Sequence, residues 1–352
     1  MPVLARTLPA PVAIEVRAGA VTALTPLLAD GRISSGGRVA VAVGPGQGDD
    51  IAATLAHTLP SSSVVPVNSG SLDGALELIA YLRNGWYDAV VGIGGGKTLD
   101  AAKYAASMTG LPFVAVATTL SNDGLASPVA SLESNGHKGS YGVHIPIAVF
   151  VDLDYVREAP PRHTRSGIGD VVSNLSAIAD WQLAAEVTGE PVDGLAVAMA
   201  RNAAEALLHR GDDLGDDGFL ATLAESLIMS GLAMTVAGTS RPCSGACHEI
   251  SHALDASHGS PGLHGEQVAL GALFATWLRG DASLARMIDG CLRRHGLPRV
   301  PADLGVSIDD FCAAVVEAPH TRPDRFTILE HLDLGKQEVA DRVADFVAAF
   351  DH

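Results

Sequence analysis

Residues 91–103 read VGIGGGKTLDAAK, and this stretch decides the fold of the N-terminal part of the chain. An apolar run ends in three consecutive glycines, Gly94 to Gly96, and a helix-forming segment follows from Lys97. Glycine lets a backbone approach a ligand closely, and the N–H groups that open a helix favour an anion. We therefore predict a strand, a phosphate-binding loop and a helix. A tight turn that packs helix on strand is the alternative, since the spacing matches neither G-x-G-x-x-G nor G-x-x-x-x-G-K-[ST].

Short β-rich runs alternate with amphipathic segments on both sides of this stretch. The predicted strands span residues 38–43, 63–67, 89–93, 112–116 and 147–151. Helical segments are predicted from near residues 50, 72 and 97. This alternation is typical of βα units that form a parallel sheet. The polar, glycine-rich residues 131–142 predict a loop or a hairpin.

The pattern changes after Asp154. From Gly167 onward apolar residues recur with helical spacing and no comparable β run follows. The consecutive prolines Pro160 and Pro161 stop both helix and strand, which makes them the natural boundary. We predict an α/β domain with a Rossmann-like parallel sheet over residues 1–160 and an all-helical domain over residues 161–352.

The composition excludes several classes of protein. Hydrophobic residues make up 47% of the chain and charged residues 18%, which excludes a disordered chain. A net charge of -17 without a basic stripe argues against a nucleic-acid partner. No apolar run approaches the ~18–20 residues that span a bilayer. The N-terminal segment lacks the pattern of a secretory signal. We therefore expect a cytoplasmic protein with no membrane partner.

A second polar loop, residues 118–128 with the sequence TTLSNDGLASP, follows the predicted strand 112–116. The ligand crevice of an open parallel sheet lies beyond the carboxyl ends of its strands, so this loop and the glycine loop should line one cleft. Hydroxyls at Thr118, Ser121 and Ser127 are candidates to bond a ribose or a carboxamide. The alternative is simple turn chemistry from Asn-Asp-Gly.

Four of the 13 histidines fall close together, which favours a metal site. His248 and His252 are four apart in a helical stretch, so both imidazoles lie on one helix face. His264 follows sixteen residues after His248 and opens an apolar helix. A catalytic zinc usually has three protein ligands, and Asp170, at the head of the first helix after the domain boundary, is the candidate carboxylate. On its own, Asp170 would be interpreted as a carboxylate that satisfies the N–H groups at the start of a helix. By spacing alone, either His248 or His252 completes a site with Asp170 and His264.

Five motifs, in order over nearly the whole chain, carry a family resemblance: GGGKTLDAAK, TTLSNDGLASP, GIGDVVSN, SGACHEISHALD and LHGEQ. Together they resemble the sn-glycerol-1-phosphate dehydrogenases. That family lies in the superfamily of glycerol dehydrogenases, iron-containing alcohol dehydrogenases and 3-dehydroquinate synthases. The resemblance implies a dehydroquinate synthase-like fold, with a nucleotide-binding domain, a helical domain and a metal in the cleft between them. It implies NAD or NADP as cofactor, and Zn2+ as the metal with Fe2+ or Ni2+ as alternatives.

The resemblance also implies roles for individual residues. The pyrophosphate would be held by Gly94, Gly95, Gly96, Lys97 and Thr98. The rest of the cofactor would be held by Thr118, Thr119, Leu120, Ser121 and Ser127. The metal ligands would be Asp170, His248 and His264. The catalytic residues on the substrate would be Asp123 and His252.

The implied reaction interconverts a small polyol phosphate and its ketone, with sn-glycerol 1-phosphate and dihydroxyacetone phosphate the favoured pair. Two alternatives stay open, a sugar-phosphate cyclase of the dehydroquinate synthase type and a dehydrogenase of an unphosphorylated polyol.

The chain departs from the family at Cys247, where an acidic residue often precedes the first metal histidine, and at Asn122, where histidine often precedes the substrate aspartate. Lys138 and Arg241 are the candidate phosphate-binding cations. The choice between NAD and NADP and the oligomeric state stay open, and a homo-oligomer is allowed.

Overall fold

The computed structural model describes residues 8–31, 33–34, 38–59, 61–134 and 137–351. Six parallel strands form one sheet in the order β1-β8-β5-β4-β2-β3, and β6 and β7 form a separate antiparallel hairpin. The strands are β1 Ala13–Arg17, β2 Val39–Val43, β3 Ser63–Pro66, β4 Ala89–Gly94, β5 Phe113–Ala117, β6 Val129–Ser134, β7 His137–Gly142 and β8 Ala148–Asp152.

Helices cover the sheet and make up the second half of the chain. They are α1 Leu24–Leu28, α2 Gln47–Thr58, α3 Leu72–Asn84, α4 Gly96–Thr109, α5 Leu153–Glu158, α6 Pro161–Thr188, α7 Gly194–Leu208, α8 Asp217–Ala237, α9 Ala246–His258, α10 His264–Leu278, α11 Ala282–His295, α12 Ile308–Thr321, α13 Ile328–Leu332 and α14 Lys336–Phe350. Short 3-10 turns lie at Ala20–Ala23, Asp123–Leu125 and Pro301–Leu304. No strand occurs between residues 153 and 351, all of which are described.

The predicted fold class is confirmed, and all five predicted strands are present as β2, β3, β4, β5 and β8. The central strands β2, β4, β5 and β8 are buried throughout, because the sheet is covered on both faces. Residues 131–142 largely form the hairpin of β6 and β7, whose turn lies outside the described residues. The sequence reading missed β1, an edge strand that pairs only with β8 in the sheet.

One helix contradicts an expectation drawn from the sequence. The sequence predicts no apolar run long enough to cross a membrane. By length and composition, however, α8 could do so, since its most apolar window has a mean hydropathy of 1.6. In the fold 61% of its apolar window is buried, and the helix packs against α6 and α7. The core helices of globular proteins pass the same test, so α8 is weak evidence of a membrane span.

Asp180 on α6 is fully buried and joins three other helices. Its carboxylate accepts hydrogen bonds from the backbone N–H of Ala246, which begins α9, and of Ile328, which begins α13, both at 2.9 Å. It also accepts a hydrogen bond from Nη2 of Arg279, just after α10, at 2.5 Å. This one side chain therefore fixes where α9, the helix that carries His248, begins.

Asp180→Ala is expected to lower the free energy of unfolding by about 3 kcal/mol, since it leaves a largely buried guanidinium and two helix N–H groups without their acceptor. Urea unfolding followed by circular dichroism measures the change. The matched control is Asp212→Ala, which removes an exposed carboxylate paired with Arg210 and should leave the urea midpoint close to that of wild type. Equal losses in the two variants would contradict the role given to Asp180.

Candidate active site and metal centre

A cleft of about 1070 Å³ lies between the sheet edge and the helical half of the chain. Its lining includes the loops after β2, β3, β4 and β5 and residues of α6, α9 and α10. Loops that follow neighbouring parallel strands meet at one edge of a sheet, which is why both polar loops predicted from the sequence reach this cleft.

The glycine loop has the features of an anion cradle. Helix α4 begins at Gly96 with no side-chain cap and no acidic residue in its first turn, so its amide end is left for a ligand. The buried hydroxyl of Thr119 has no hydrogen-bond partner among the described residues. A Cβ added to Gly95 would lie 3.0 Å from that hydroxyl oxygen. An open helix start and an orphaned buried hydroxyl therefore fit the phosphate and sugar of a dinucleotide.

Most residues assigned to the cofactor line this cleft. They are Gly95, Gly96, Lys97, Thr98, Thr118, Thr119, Ser121 and Ser127. The other two are absent from the lining. Gly94 ends β4 with a φ of 153°, and Leu120 is fully buried in the hydrophobic core. The side chain of Leu120 therefore holds the loop in place and does not face the cleft.

Asp170, His248 and His264 come together beside the cleft, where the two histidines line it and Asp170 is buried behind them. One potential ligand atom from each lies within 4.8 Å of the other two. Nε2 of His264 is 3.6 Å from Oδ1 of Asp170. His252 is not part of this group among the described residues, so the geometry places His248, and not His252, with the other two side chains.

Hydrogen bonds fix the orientation of the His264 ring. Ser251 Oγ donates to Oε1 of Gln267 at 2.6 Å, so its only hydrogen is engaged. Nδ1 of His264 lies 3.3 Å from that Oγ and must be the donor there. Gln267 is itself oriented by Asp255, whose Oδ1 accepts from its Nε2 at 2.9 Å. Nε2 of His264 is therefore unprotonated and available to a metal, as in sites where the second ring nitrogen is held by a neighbour.

The electrostatics of the three residues also fit a cation. Burial lowers the pKa of His264 to about 4, with help from Lys138, and burial keeps the pKa of His248 well below its usual range. Both rings are thus neutral at physiological pH, as ligation requires. Burial and the charge of Asp123 raise the pKa of Asp170 well above its usual range. A divalent ion would compensate that buried carboxylate.

Two glycines allow the ligand-bearing helices to touch. A Cβ on Gly265 would lie 1.8 Å from the backbone oxygen of Ser166, and a Cβ on Gly169 would lie 2.2 Å from the oxygen of Gly265. Any side chain at either position would therefore push α6 and α10 apart. This close approach brings Asp170 on α6 beside His264, the first residue of α10.

Asp123 lies in the 3-10 turn after β5 and connects the cofactor loop to the metal group. Its backbone N–H donates to Oδ2 of Asp170 at 2.9 Å. Burial raises the pKa of Asp123 to about 7, against the opposing charge of Lys103. Lys103 is fully buried, donates to the Gly124 oxygen at 2.5 Å and lies 3.2 Å from Oδ1 of Asp100. The sequence reading gave Lys103 no role, although it is the buried cation of this turn.

Arg322 is the second residue that the sequence reading missed. It follows α12 and lines the cleft, where its Nη2 lies 3.0 Å from Nε2 of His252. A guanidinium only donates, so Nε2 of His252 accepts and Nδ1 carries the proton. Arg241, a predicted phosphate-binding cation, does not line the cleft and is bound by Glu190 and the Phe326 oxygen. Lys138, the other candidate, does line it.

Comparisons with known proteins identify one family. The sequence model of the iron-containing alcohol dehydrogenases matches residues 15–160. A glycerol-1-phosphate dehydrogenase [NAD(P)+] of Archaeoglobus fulgidus is 40% identical over 282 residues, 77% of this chain and 79% of that protein. Another, from Pyrococcus furiosus, is 35% identical over 319 residues, 89% of this chain and 91% of that protein. The chain belongs to the glycerol-1-phosphate dehydrogenase family.

A solved structure, a probable glycerol dehydrogenase from Sinorhizobium meliloti, shares the fold of this family member with a TM-score of 0.82 at 24% identity, and 99% of each chain is covered. The family and the fold predicted from the motifs are thus confirmed. The prediction of an oxidoreductase that uses NAD or NADP agrees with the printed names of the relatives.

The two departures from the family pattern have structural roles here. Oδ1 of Asn122 accepts a hydrogen bond from the Gly124 N–H at 3.0 Å and so caps the turn that presents Asp123. Sγ of the fully buried Cys247 lies 3.3 Å from Nδ1 of His248. Each residue therefore orients a member of the site.

Proposed function

We propose that this chain is a metal-dependent NAD(P)-linked dehydrogenase that interconverts sn-glycerol 1-phosphate and dihydroxyacetone phosphate. The observation that carries the proposal is the group of Asp170, His248 and His264, with ligand atoms within 4.8 Å of one another, whose two histidines line the same cleft as an open glycine loop. The names of the relatives, which specify this substrate, support the choice of reaction.

We assign the residues of the cleft to three tasks. Asp170, His248 and His264 would hold the divalent metal. The loop from Gly94 to Thr98 would bind the pyrophosphate, and Thr118, Thr119, Ser121 and Ser127 the rest of the cofactor. When bound, the metal supplies Lewis-acid polarisation of an oxygen, and the nicotinamide supplies hydride transfer. Asp123 would hold the hydroxyl proton at its carboxylate, since it lines the cleft and its backbone contacts Asp170. His252 would contact the substrate.

A spectrophotometric screen tests the proposal. Dihydroxyacetone phosphate, dihydroxyacetone and related ketones are each offered with NADH and NADPH, to protein stripped of metal and then reloaded with Zn2+, Fe2+ or Ni2+. We expect metal-dependent oxidation of the reduced cofactor, fastest with dihydroxyacetone phosphate. Equal or faster turnover of the unphosphorylated ketone would overturn the substrate assignment. Phosphate release from a sugar phosphate with no net change in cofactor would instead favour the cyclase.

The domain limits and the compartment are part of the same proposal. We place the boundary between residues 160 and 161, where α6 begins at Pro161 after the last strand of the sheet. We also propose that the enzyme works in the cytoplasm, where the nicotinamide cofactors that it needs are available.

Gly95→Val is expected to raise the KM for NADH at least about 10-fold with little change in the KM for the ketone, because the new side chain fills the cradle beside Thr119. Gly95 has an ordinary φ of -83°, so the fold should survive. Steady-state kinetics and a thermal melt measure the two effects. Gly95→Ala is the graded control and should fall between wild type and valine. A large fall in Tm, together with an equal rise in the KM for NADH and the KM for the ketone, would favour a purely structural turn.

A further inference from the structure

We propose that Arg322 and Lys138 form the subsite that binds the phosphate monoester of the substrate. This inference rests on the proposed function and adds the residues that distinguish a phosphorylated from an unphosphorylated ketone. The two cations come from different halves of the chain, Arg322 after α12 and Lys138 on β7, and both line the cleft. The subsite is therefore assembled only when both halves of the chain are folded together.

Arg322 carries a positive charge without an ion-pair partner, although the charges of Glu249 and Asp324 also act on it. Its side chain is half-buried, and no carboxylate lies within 4.0 Å of it among the residues that the structure describes. Its contacts are Nε2 of His252 at 3.0 Å and Oγ of Ser140 at 3.4 Å, both uncharged acceptors. A guanidinium drawn partly out of water without an anion is unfavourable, and it is suited to bind phosphate through two parallel N–H groups.

Lys138 differs, because its charge is already matched. Its Nζ donates to Oδ2 of Asp255 at 2.8 Å, and a third of its side chain is exposed to the cleft. Asp255 is held in turn by Gln267. The ion pair with Asp255 therefore fixes the ammonium of Lys138 in position. Together, Lys138, Asp255 and Arg322 carry one net positive charge. A phosphate monoester supplies the missing negative charge and the oxygens for both donors.

The position of this pair favours the substrate over the cofactor. Arg322 bonds to His252, which lies one helical turn along α9 from the proposed ligand His248. Lys138 and Arg322 line the same cleft as His248 and His264, so the pair lies near the metal group. The cofactor's own phosphates have a separate anion site at the start of α4. In dihydroxyacetone phosphate only three bonds separate the carbonyl carbon from phosphorus, which matches a subsite beside the metal.

The first experiment compares two substrates in charge-removing variants. In Arg322→Gln we expect kcat/KM for dihydroxyacetone phosphate to fall about 100-fold and that for dihydroxyacetone to change less than about 3-fold. In Lys138→Gln we expect a fall of about 10-fold on the phosphorylated substrate alone. Arg322→Lys should recover part of the loss. Arg293→Gln is the matched control, because it removes an exposed cation paired with Asp289, and it should resemble wild type.

The second experiment measures binding without turnover. Isothermal titration of inorganic phosphate into metal-loaded, cofactor-free protein should give a Kd raised about 30-fold or more in Arg322→Gln and unchanged in Arg293→Gln. The KM values for NADH and NADPH should not change. If the KM for NADPH alone rises, the pair serves the ribose phosphate of that cofactor and the inference is overturned.

The two proposals can fail separately. If wild type reduces dihydroxyacetone phosphate and Arg322→Gln keeps its preference over dihydroxyacetone, the subsite falls and the proposed function stands. If wild type reduces neither ketone but binds phosphate through Arg322, the subsite stands and the proposed function falls. Should Arg322→Gln not fold by circular dichroism, Arg322→Lys and Lys138→Gln decide the question by the same ratio of substrates.

Discussion

Replacing Asp170, His248 or His264 by alanine is expected to lower turnover by about 1000-fold or more and to release most of the bound metal on dialysis. A catalytic site of this type has three protein ligands and an open position, so each remaining pair holds a divalent ion far more weakly. Metal analysis by plasma mass spectrometry and NADH oxidation are measured on the same dialysed samples. The loss of metal and the loss of activity should go together in all three variants.

His252→Ala is the control for this prediction, since it removes a histidine from the same helix that does not belong to the metal group. It should keep the metal and lose activity on the phosphorylated substrate. Ser251→Ala should weaken metal binding by only ~10–100-fold, because it removes the acceptor that orients His264 and spares the ligand. If His252→Ala lost the metal and His248→Ala kept it, the two assignments would be reversed.

Asp123→Asn is expected to lower kcat by about 100- to 1000-fold while metal content and the Kd for NADH stay within a factor of three. The amide has nearly the shape of the carboxylate, and the backbone N–H that supports Asp170 is unchanged. What is lost is a group that can accept a proton from the substrate hydroxyl. Stopped-flow measurement of a single turnover separates this chemical step from product release.

Glu133→Gln provides the matched control for Asp123→Asn, because Glu133 is another carboxylate in the lining of the cleft but lies on β6. Its kcat should remain within about 3-fold of wild type. Near-normal turnover in Asp123→Asn would show that Asp123 serves only as part of the turn and has no role in catalysis. Loss of metal in the same variant would show that it acts through Asp170.

Local patterns in the sequence were sufficient for most of the sheet. The strands β2, β4, β5 and β8 are buried on both faces and read as continuous apolar runs. The edge strand β1 has a half-exposed pattern with no glycine loop or long helix immediately after it. Its place depends on β8, which lies more than 130 residues further along the chain. The residues around β1 therefore contain no local pattern that would predict its pairing with β8.

The candidate site divides in the same way. His248 and His252 lie on one helix face, so helical periodicity alone could not say which faces Asp170, and that choice depends on how α6 packs beside α9 and α10. Arg322 could not have been found by spacing, since its contact His252 lies 70 residues away. The predicted cation Arg241 was wrong for a comparable reason, because its partner Glu190 lies 51 residues away in sequence.

The contact between α6 and α10 has a consequence for protein engineering. Suppose that the metal site were grafted onto another pair of helices by copying Asp170, His248 and His264 alone. With alanine in place of Gly265, its Cβ could not stay 1.8 Å from the Ser166 oxygen and would need at least 3.4 Å for an ordinary contact. The recipient helices would settle further apart, and the carboxylate and imidazole would no longer share one ion. A transplant therefore has to carry Gly169 and Gly265 as well, although neither glycine has a side chain to offer the metal.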